Sequence, residues 1–155
     1  MKLYCVRHCE ANSADVDSLR GLTETGLEDA QKIANHMKQQ AVVIPHIIHS
    51  GKLRAKQTAE VIFSSVDGDE LTESPLLLDD QADINILLED IVSWQQDTML
   101  VGHMPYMANL VSALVMDIGD NMHLVTYAPG TVVCLKRMSE GRWIIDWVLK
   151  PENLR

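Results

Sequence analysis

Lys2-Leu3-Tyr4-Cys5-Val6-Arg7-His8-Cys9-Glu10 is the stretch whose reading decides the fold. The apolar run from Leu3 to Val6 has the length and composition of a short buried strand. It stops abruptly at a cation, an imidazole, a thiol and a carboxylate. In an open α/β sheet, ligands bind beyond the carboxyl ends of the strands. Arg7-His8 therefore reads as an anion site, with His8 as a nucleophile toward phosphate.

The rest of the chain repeats the pattern of a short apolar run followed by a helix. A polar loop, Ala11 to Leu22, carries Asp15, Asp17 and Arg20 and is long enough to serve a function. A helix is expected from Thr23 to Gln39, with Leu27, Ala30, Ala34 and Met37 as its apolar stripe and Thr25 with Glu28 as a capping box. Gly26 in its first turn costs roughly 1 kcal/mol against alanine and permits close packing. Ile47 to Ser50 reads as a strand, Gly51 as a break, and Lys52 to Ser65 as a second helix facing the core with Ala55, Ala59, Ile62 and Phe63. Leu76-Leu77-Leu78 reads as a further short strand, followed by the acidic Asp79 to Asp83, a solvated loop. Ile84, Leu87, Leu88, Ile91 and Val92 give an amphipathic helix ending near Gln96.

Thr98 to Val101 is another apolar strand that stops at a glycine and a histidine, Gly102-His103. Pro105 opens a helix that reaches Met116, since proline suits the first helical position. An irregular connection then reaches Tyr127. Thr131 to Arg137 and Arg142 to Leu149 form a hairpin about Ser139-Glu140-Gly141. Alternating strands and helices imply an α/β fold, a mostly parallel central sheet covered on both faces, with the hairpin as an antiparallel edge. No repeat or linker divides the 155 residues, so one domain over 1–155 is expected.

Composition excludes several classes of function. With 46% hydrophobic and 23% charged residues, the chain has the make-up of a globular protein. No run approaches the ~18 apolar residues of a membrane span, no secretory leader is visible, and the cytoplasm is the expected compartment. The three cysteines Cys5, Cys9 and Cys134 are odd in number and lack a CxxC pattern, against a disulfide scaffold or structural zinc. Cys5 and Cys134 read as buried thiols. A formal charge of −9 argues against nucleic acid. An anion bound here must be held by a local cluster of arginines.

Three strand-to-helix junctions supply such a cluster: Arg7-His8, Arg54 just inside the second helix, and Gly102-His103. In a parallel sheet all three lie on one edge and can converge. His36, His46 and His123 have no partner at a telling spacing, and His49 reads as a strand residue. The tryptophans Trp94, Trp143 and Trp147 read as packing residues.

At these positions the chain resembles the histidine phosphatase superfamily. The resemblance rests on Arg7-His8, on Leu22-Thr23-Glu24-Thr25-Gly26, on Ser50 to Glu60, and on Val101-Gly102-His103-Met104-Pro105, in that order and spacing. Leu53-Arg54-Ala55-Lys56-Gln57-Thr58-Ala59-Glu60 is the most specific of these segments. The short length and compact middle look most like the SixA-type phosphohistidine phosphatase branch, over Lys2 to about Leu154. The resemblance implies a phosphoglycerate mutase-like three-layer sandwich. It also implies His8 as the phosphate-accepting nucleophile, Arg7 and Arg54 as phosphate clamps, and His103 as the second histidine of the pocket. Asp17 and Arg20 match acidic and basic positions before the Leu-Thr motif, and Glu10 is a further substrate-side position.

The chemistry suits these roles. A neutral imidazole can displace a phosphoryl group in line and split hydrolysis into two easier transfers. The remainder is positioning and charge neutralisation, for which guanidinium forks match phosphate oxygens. No metal or cofactor is required. An alkyl phosphate expels a basic alkoxide and needs a general acid, whereas phosphohistidine expels an imidazole of pKa about 6.5. Neither candidate acid, Asp17 or Glu10, is fixed by the sequence within reach of the leaving atom, which favours phosphohistidine on a protein such as a phosphotransfer domain, released as histidine and inorganic phosphate. A small-molecule phosphomonoesterase and a non-catalytic phosphate-binding module are the competing readings.

One departure from the family stands beside the nucleophile, where Cys9 replaces a usual glycine. Either its small side chain turns away from the phosphate, or the arginines lower its pKa and make it a redox-sensitive thiol. Ser50-Gly51-Lys52 also replaces the more usual Ser-Pro at that turn.

Overall fold

Strand β1 (Lys2–Arg7) is buried along its middle, and alternate side chains leave it in opposite directions into two separate cores. Leu3 and Cys5 enter one cluster, Tyr4 and Val6 the other. The computed structural model describes residues 1–78, 83–117 and 123–154. Beside β1 stand β2 (His46–His49), β3 (Glu70–Glu73), β4 (Thr98–Gly102), β5 (Val132–Arg137) and β6 (Trp143–Leu149). They form one six-stranded sheet in the order β3-β2-β4-β1-β5-β6. Pairs β3–β2, β2–β4 and β4–β1 are parallel, while β5 runs antiparallel to β1 and to β6.

Helices α1 (Glu24–Gln39) and α2 (Leu53–Phe63) cover one face, through Ala30, Ile33 and Met37 and through Ala55, Ala59 and Ile62. Helices α3 (Ile84–Ser93) and α4 (Tyr106–Met116) cover the other, through Leu87 and Ile91 and through Met107, Leu110 and Val111. This is the three-layer α/β sandwich with a mostly parallel sheet and an antiparallel edge that the sequence implies. Trp143 is 7% exposed beneath the Arg137 guanidinium, and Trp147 packs on Tyr4, so both serve packing. Among the described residues, no helix is long and apolar enough to cross a membrane.

Several local expectations are corrected. Leu76-Leu77-Leu78 is not a strand: Pro75–Leu77 forms a short 3-10 turn, started by the Ser74 hydroxyl accepting from the Leu76 N–H at 3.2 Å. The strand of that region is β3, which lies just before it. The N-cap of α1 is Thr23 and not Thr25; its hydroxyl accepts from the Gly26 N–H at 2.9 Å. Leu27 and Val92 lie outside the core, being 52% and 76% exposed. Helix α3 stops at Ser93, and Pro105 caps α4 from the position before its first residue. The acidic stretch 79–82 and part of the connection to Tyr127 lie outside the described residues.

The strand register positions the site. Arg7 pairs with Gly102, and His49 with Val101, so the carboxyl ends of β1, β4 and β2 are level. His8, His103 and Ser50 are each the first residue beyond their strand.

Candidate active site

His8 and His103 meet at this edge with ring centroids 5.1 Å apart. The His8 backbone N–H donates to the Gly102 carbonyl at 3.0 Å, extending the β1–β4 pairing by one residue. Its carbonyl and that of Arg7 both accept from the Gly130 N–H at 3.1 Å. Gly130 has φ 81°, which a side chain resists, and a Cβ there would fall 2.7 Å from Pro151 and 3.2 Å from the Cys9 sulfur. The turn after β1 is thereby fixed both from β4 and from the turn that precedes β5.

The His8 ring has a defined tautomer. Nδ1 lies 2.7 Å from the Cys9 carbonyl oxygen. A carbonyl only accepts, so Nδ1 carries the proton and Nε2 keeps its lone pair. The ring is 8% exposed, and burial pushes its pKa down to about 4, helped by the positive charges of Arg54, Arg7 and Arg20 against the opposing Cys9 bond. His103, 3% exposed, is pushed down to about 3 by burial and then by His8, Arg54, Lys52 and Arg20. Both rings are neutral near pH 7. The site thus presents an uncharged imidazole nitrogen amid guanidinium groups, an arrangement able to attack phosphorus while cations hold its oxygens.

A titration follows from these values. In the free protein, 15N chemical shifts of both rings are expected to remain those of neutral imidazole down to about pH 5, with His8 protonating near 4. Protonation of His8 near its ordinary 6.5 is the contrary result. Below about 6.5 the unfolded chain binds protons that the folded ring refuses. Stability is therefore complete above that pH and falls as the pH drops toward about 4 for His8 and about 3 for His103.

Arg7 is anchored from the far end of the chain. Its Nη1 donates to the Tyr127 carbonyl at 2.7 Å, and the Tyr127 hydroxyl donates to the Cys5 carbonyl at 3.1 Å. Nε of Arg7 is buried with no hydrogen-bond partner among the described residues. Arg54 stands in the first turn of α2, and its carbonyl accepts from the Thr58 hydroxyl at 2.8 Å. That same hydroxyl accepts from the Cys9 N–H at 3.0 Å, which ties the Arg54 turn to the residue after His8. Arg20 has φ 52° and donates from Nε to the Asn12 carbonyl at 3.0 Å.

The two acids sit differently from the bases. Asp17 accepts from the backbone N–H of Leu19 at 3.0 Å and of Gly21 at 2.8 Å, so both oxygens are spent shaping the loop around Arg20. Glu10 is exposed and accepts from the Thr23 hydroxyl at 2.8 Å, beside the start of α1. The structure brings His8, His103, Arg7, Arg54 and Arg20 into electrostatic contact and attaches Asp17 and Glu10 to the surrounding loops.

Cys9 settles between its two expected behaviours. It is fully buried in the cluster with Ala30, Ile33, Ala55 and Ala59, and burial pushes its thiol up to about 12. The reading of a thiol activated by arginines is thus overturned. Its backbone φ is not positive, so no glycine is required there. Among the described residues no group of three or more His, Cys, Asp or Glu is arranged to hold a metal.

Sequence reasoning passed over Ser50, whose Oγ lies 2.6 Å from Nε2 of His103, and Thr58, Tyr127 and Gly130, which hold the turn around His8. Thr58 lies inside the most specific stretch of sequence, Leu53 to Glu60, and Ser50 just before it. Tyr127 and Gly130 act largely through backbone atoms and leave no chemical signature in the sequence.

Fold and site together define the class. The model of the histidine phosphatase superfamily, branch 1, matches residues 3–79 of the chain. Within that class it is similar to phosphohistidine phosphatase SixA of Escherichia coli (strain K12), with 26% identity over 160 residues covering 100% of this chain and 97% of the relative. Among solved structures, a protein histidine phosphatase SixA complexed with tungstate matches with TM-score 0.86, 23% identity and complete coverage of both chains. A phosphoserine phosphatase of Entamoeba histolytica in complex with phosphoserine matches with TM-score 0.73 and 14% identity over 99% of both chains. At these identities the two structures speak for the fold. The family and the SixA relative support a phosphatase, a hydrolase, as the kind of protein.

Proposed function

We propose that the protein, as one histidine phosphatase domain over 1–155, hydrolyses phosphohistidine on a protein through a phospho-His8 intermediate. The observation that carries this reading is the bond from His8 Nδ1 to the Cys9 carbonyl, which leaves Nε2 as a neutral nucleophile among arginines. Nε2 attacks phosphorus, the P–N bond of the substrate breaks, and the departing imidazole nitrogen takes its proton from solvent. Water then attacks the phospho-His8 intermediate and releases inorganic phosphate, regenerating the free ring. Arg7 and Arg54 neutralise the equatorial oxygens in both transfers, with Arg20 at the rim. These cations perform the neutralisation a metal would otherwise supply.

The placement of the acids favours phosphohistidine over an ester. Asp17 has both oxygens occupied by backbone N–H groups, and Glu10 is engaged at the cap of α1. An alkoxide leaving group would need a committed proton donor, whereas an imidazole does not. The similarity to phosphohistidine phosphatase SixA supports phosphohistidine as the substrate, and a phosphotransfer domain is the bearer we propose. The test is hydrolysis of a phosphohistidine protein and of a panel of phosphate esters, with chelator present. Faster turnover of the phosphohistidine protein is expected. Preference for an ester overturns the substrate assignment, and loss of activity in chelator overturns the metal-free mechanism.

A further inference from the structure

The Ser50 hydroxyl and the two nitrogens of His103 form a chain whose polarity follows from where the hydroxyl proton can go. The Lys52 backbone N–H donates to Ser50 Oγ at 3.4 Å, and an N–H can do nothing else. Ser50 Oγ in turn lies 2.6 Å from His103 Nε2, both residues being 5% exposed or less. A hydroxyl oxygen can accept twice, but among the described residues no other acceptor is in reach of the Ser50 hydroxyl proton, so Oγ donates it to Nε2, which accepts. His103 Nδ1 consequently holds the ring proton, and it is buried with no hydrogen-bond partner among the described residues.

We infer that Ser50 is a positioning residue that holds His103 in the Nδ1–H tautomer, making Nδ1–H a donor to the phosphoryl group while His8 presents a bare Nε2. The two facing rings then share the same tautomer and offer opposite nitrogens, one donating and one attacking. A ring that is neutral can still donate, so His103 needs no positive charge to stabilise the phosphoryl oxygens. With the opposite tautomer, Nδ1 would carry a lone pair, and a lone pair repels an anionic oxygen. The inference rests on the phosphatase reading of this site, but the state of the ring can be observed without turnover.

The experiment pairs 15N NMR of histidine-labelled protein with trapping of radiolabelled phospho-His8, in the native chain and in Ser50→Ala and Ser50→Thr. In the native protein, His103 is expected to show a protonated Nδ1 and a lone-pair Nε2. Ser50→Ala is expected to mix the tautomers and slow phospho-His8 formation roughly tenfold or more, with phosphate affinity changed far less. Ser50→Thr, which keeps the hydroxyl, should restore both readouts. A lone-pair Nδ1 in the native protein overturns the inference, as does a Ser50→Ala variant that keeps the native tautomer and rate. If no phospho-His8 forms in the native chain while the tautomers are as expected, it is the phosphatase reading that fails. In that event Ser50 does not serve phosphoryl transfer.

Discussion

Replacing His8 with alanine is expected to lower turnover of a phosphohistidine protein by about a thousandfold or more, because it removes the atom that accepts the phosphoryl group. Phosphate binding should survive in part. Arg7 keeps its anchor on the Tyr127 carbonyl, and Arg54 its place in the first turn of α2, neither of which passes through the His8 ring. Rapid-quench kinetics and calorimetric titration with inorganic phosphate separate the two effects. Full activity in His8→Ala would sink the covalent mechanism. Arg54→Ala differs in kind, since it should weaken binding and turnover together. The contrast between the variants tests whether nucleophile and clamp are distinct functions.

The second large effect concerns stability. A Cβ on Gly26 would overlap the Glu10 carbonyl oxygen and lie 2.9 Å from its carbon. That carbonyl is held in place by the Thr23 N–H at 3.0 Å, so α1 and the segment after His8 meet through backbone atoms. Alanine at an ordinary helical position gains roughly 1 kcal/mol over glycine. Here the overlap reverses the sign, and Gly26→Ala is expected to destabilise the fold by about 2–3 kcal/mol. Thermal unfolding should fall by roughly 5–10 °C, with a loss of turnover as Cys9 and Glu10 are displaced. Leu27→Ala, at the exposed neighbouring position, should change stability by no more than about 0.5 kcal/mol. A Gly26→Ala variant as stable as the native chain would show that α1 can withdraw without cost.

The site was legible in the sequence wherever a functional side chain stood directly after an apolar strand. Arg7-His8 and Gly102-His103 carry that signal, and the level ends of β1 and β4 bring the two histidines together as expected. The signal failed where structure depends on backbone partners or on an edge. Strand β3 escaped because an edge strand of Glu-Leu-Thr-Glu with exposed side chains has no apolar alternation to detect. Leu76 to Leu78 looked like a strand by composition, but Ser74-Pro75 sets a tight turn there. Thr25, three residues before Glu28, fits the capping-box pattern, yet Thr23 caps the helix, its hydroxyl accepting from Gly26 and donating to Glu10. Asp17 has the charge of an acid catalyst and the contacts of a loop brace, a distinction that composition does not encode.

The pinning of the nucleophile's turn also bears on how the molecule acquires its activity. Arg7 is bound by a carbonyl 120 positions further along, and the Arg7 and His8 backbones by Thr131, Gly130 and Gly102. β1 itself pairs only with β4 and β5, both from the second half of the chain. Contacts of such long sequence separation incur their loop-closure entropy before they return any stabilisation, which slows folding. A chain growing from its N-terminus therefore makes His8 before the strands that organise the turn around it. Until β4 and β5 arrive, the apolar middle of β1 has two unpaired edges, and the organised site and protection from edge-to-edge aggregation are gained together.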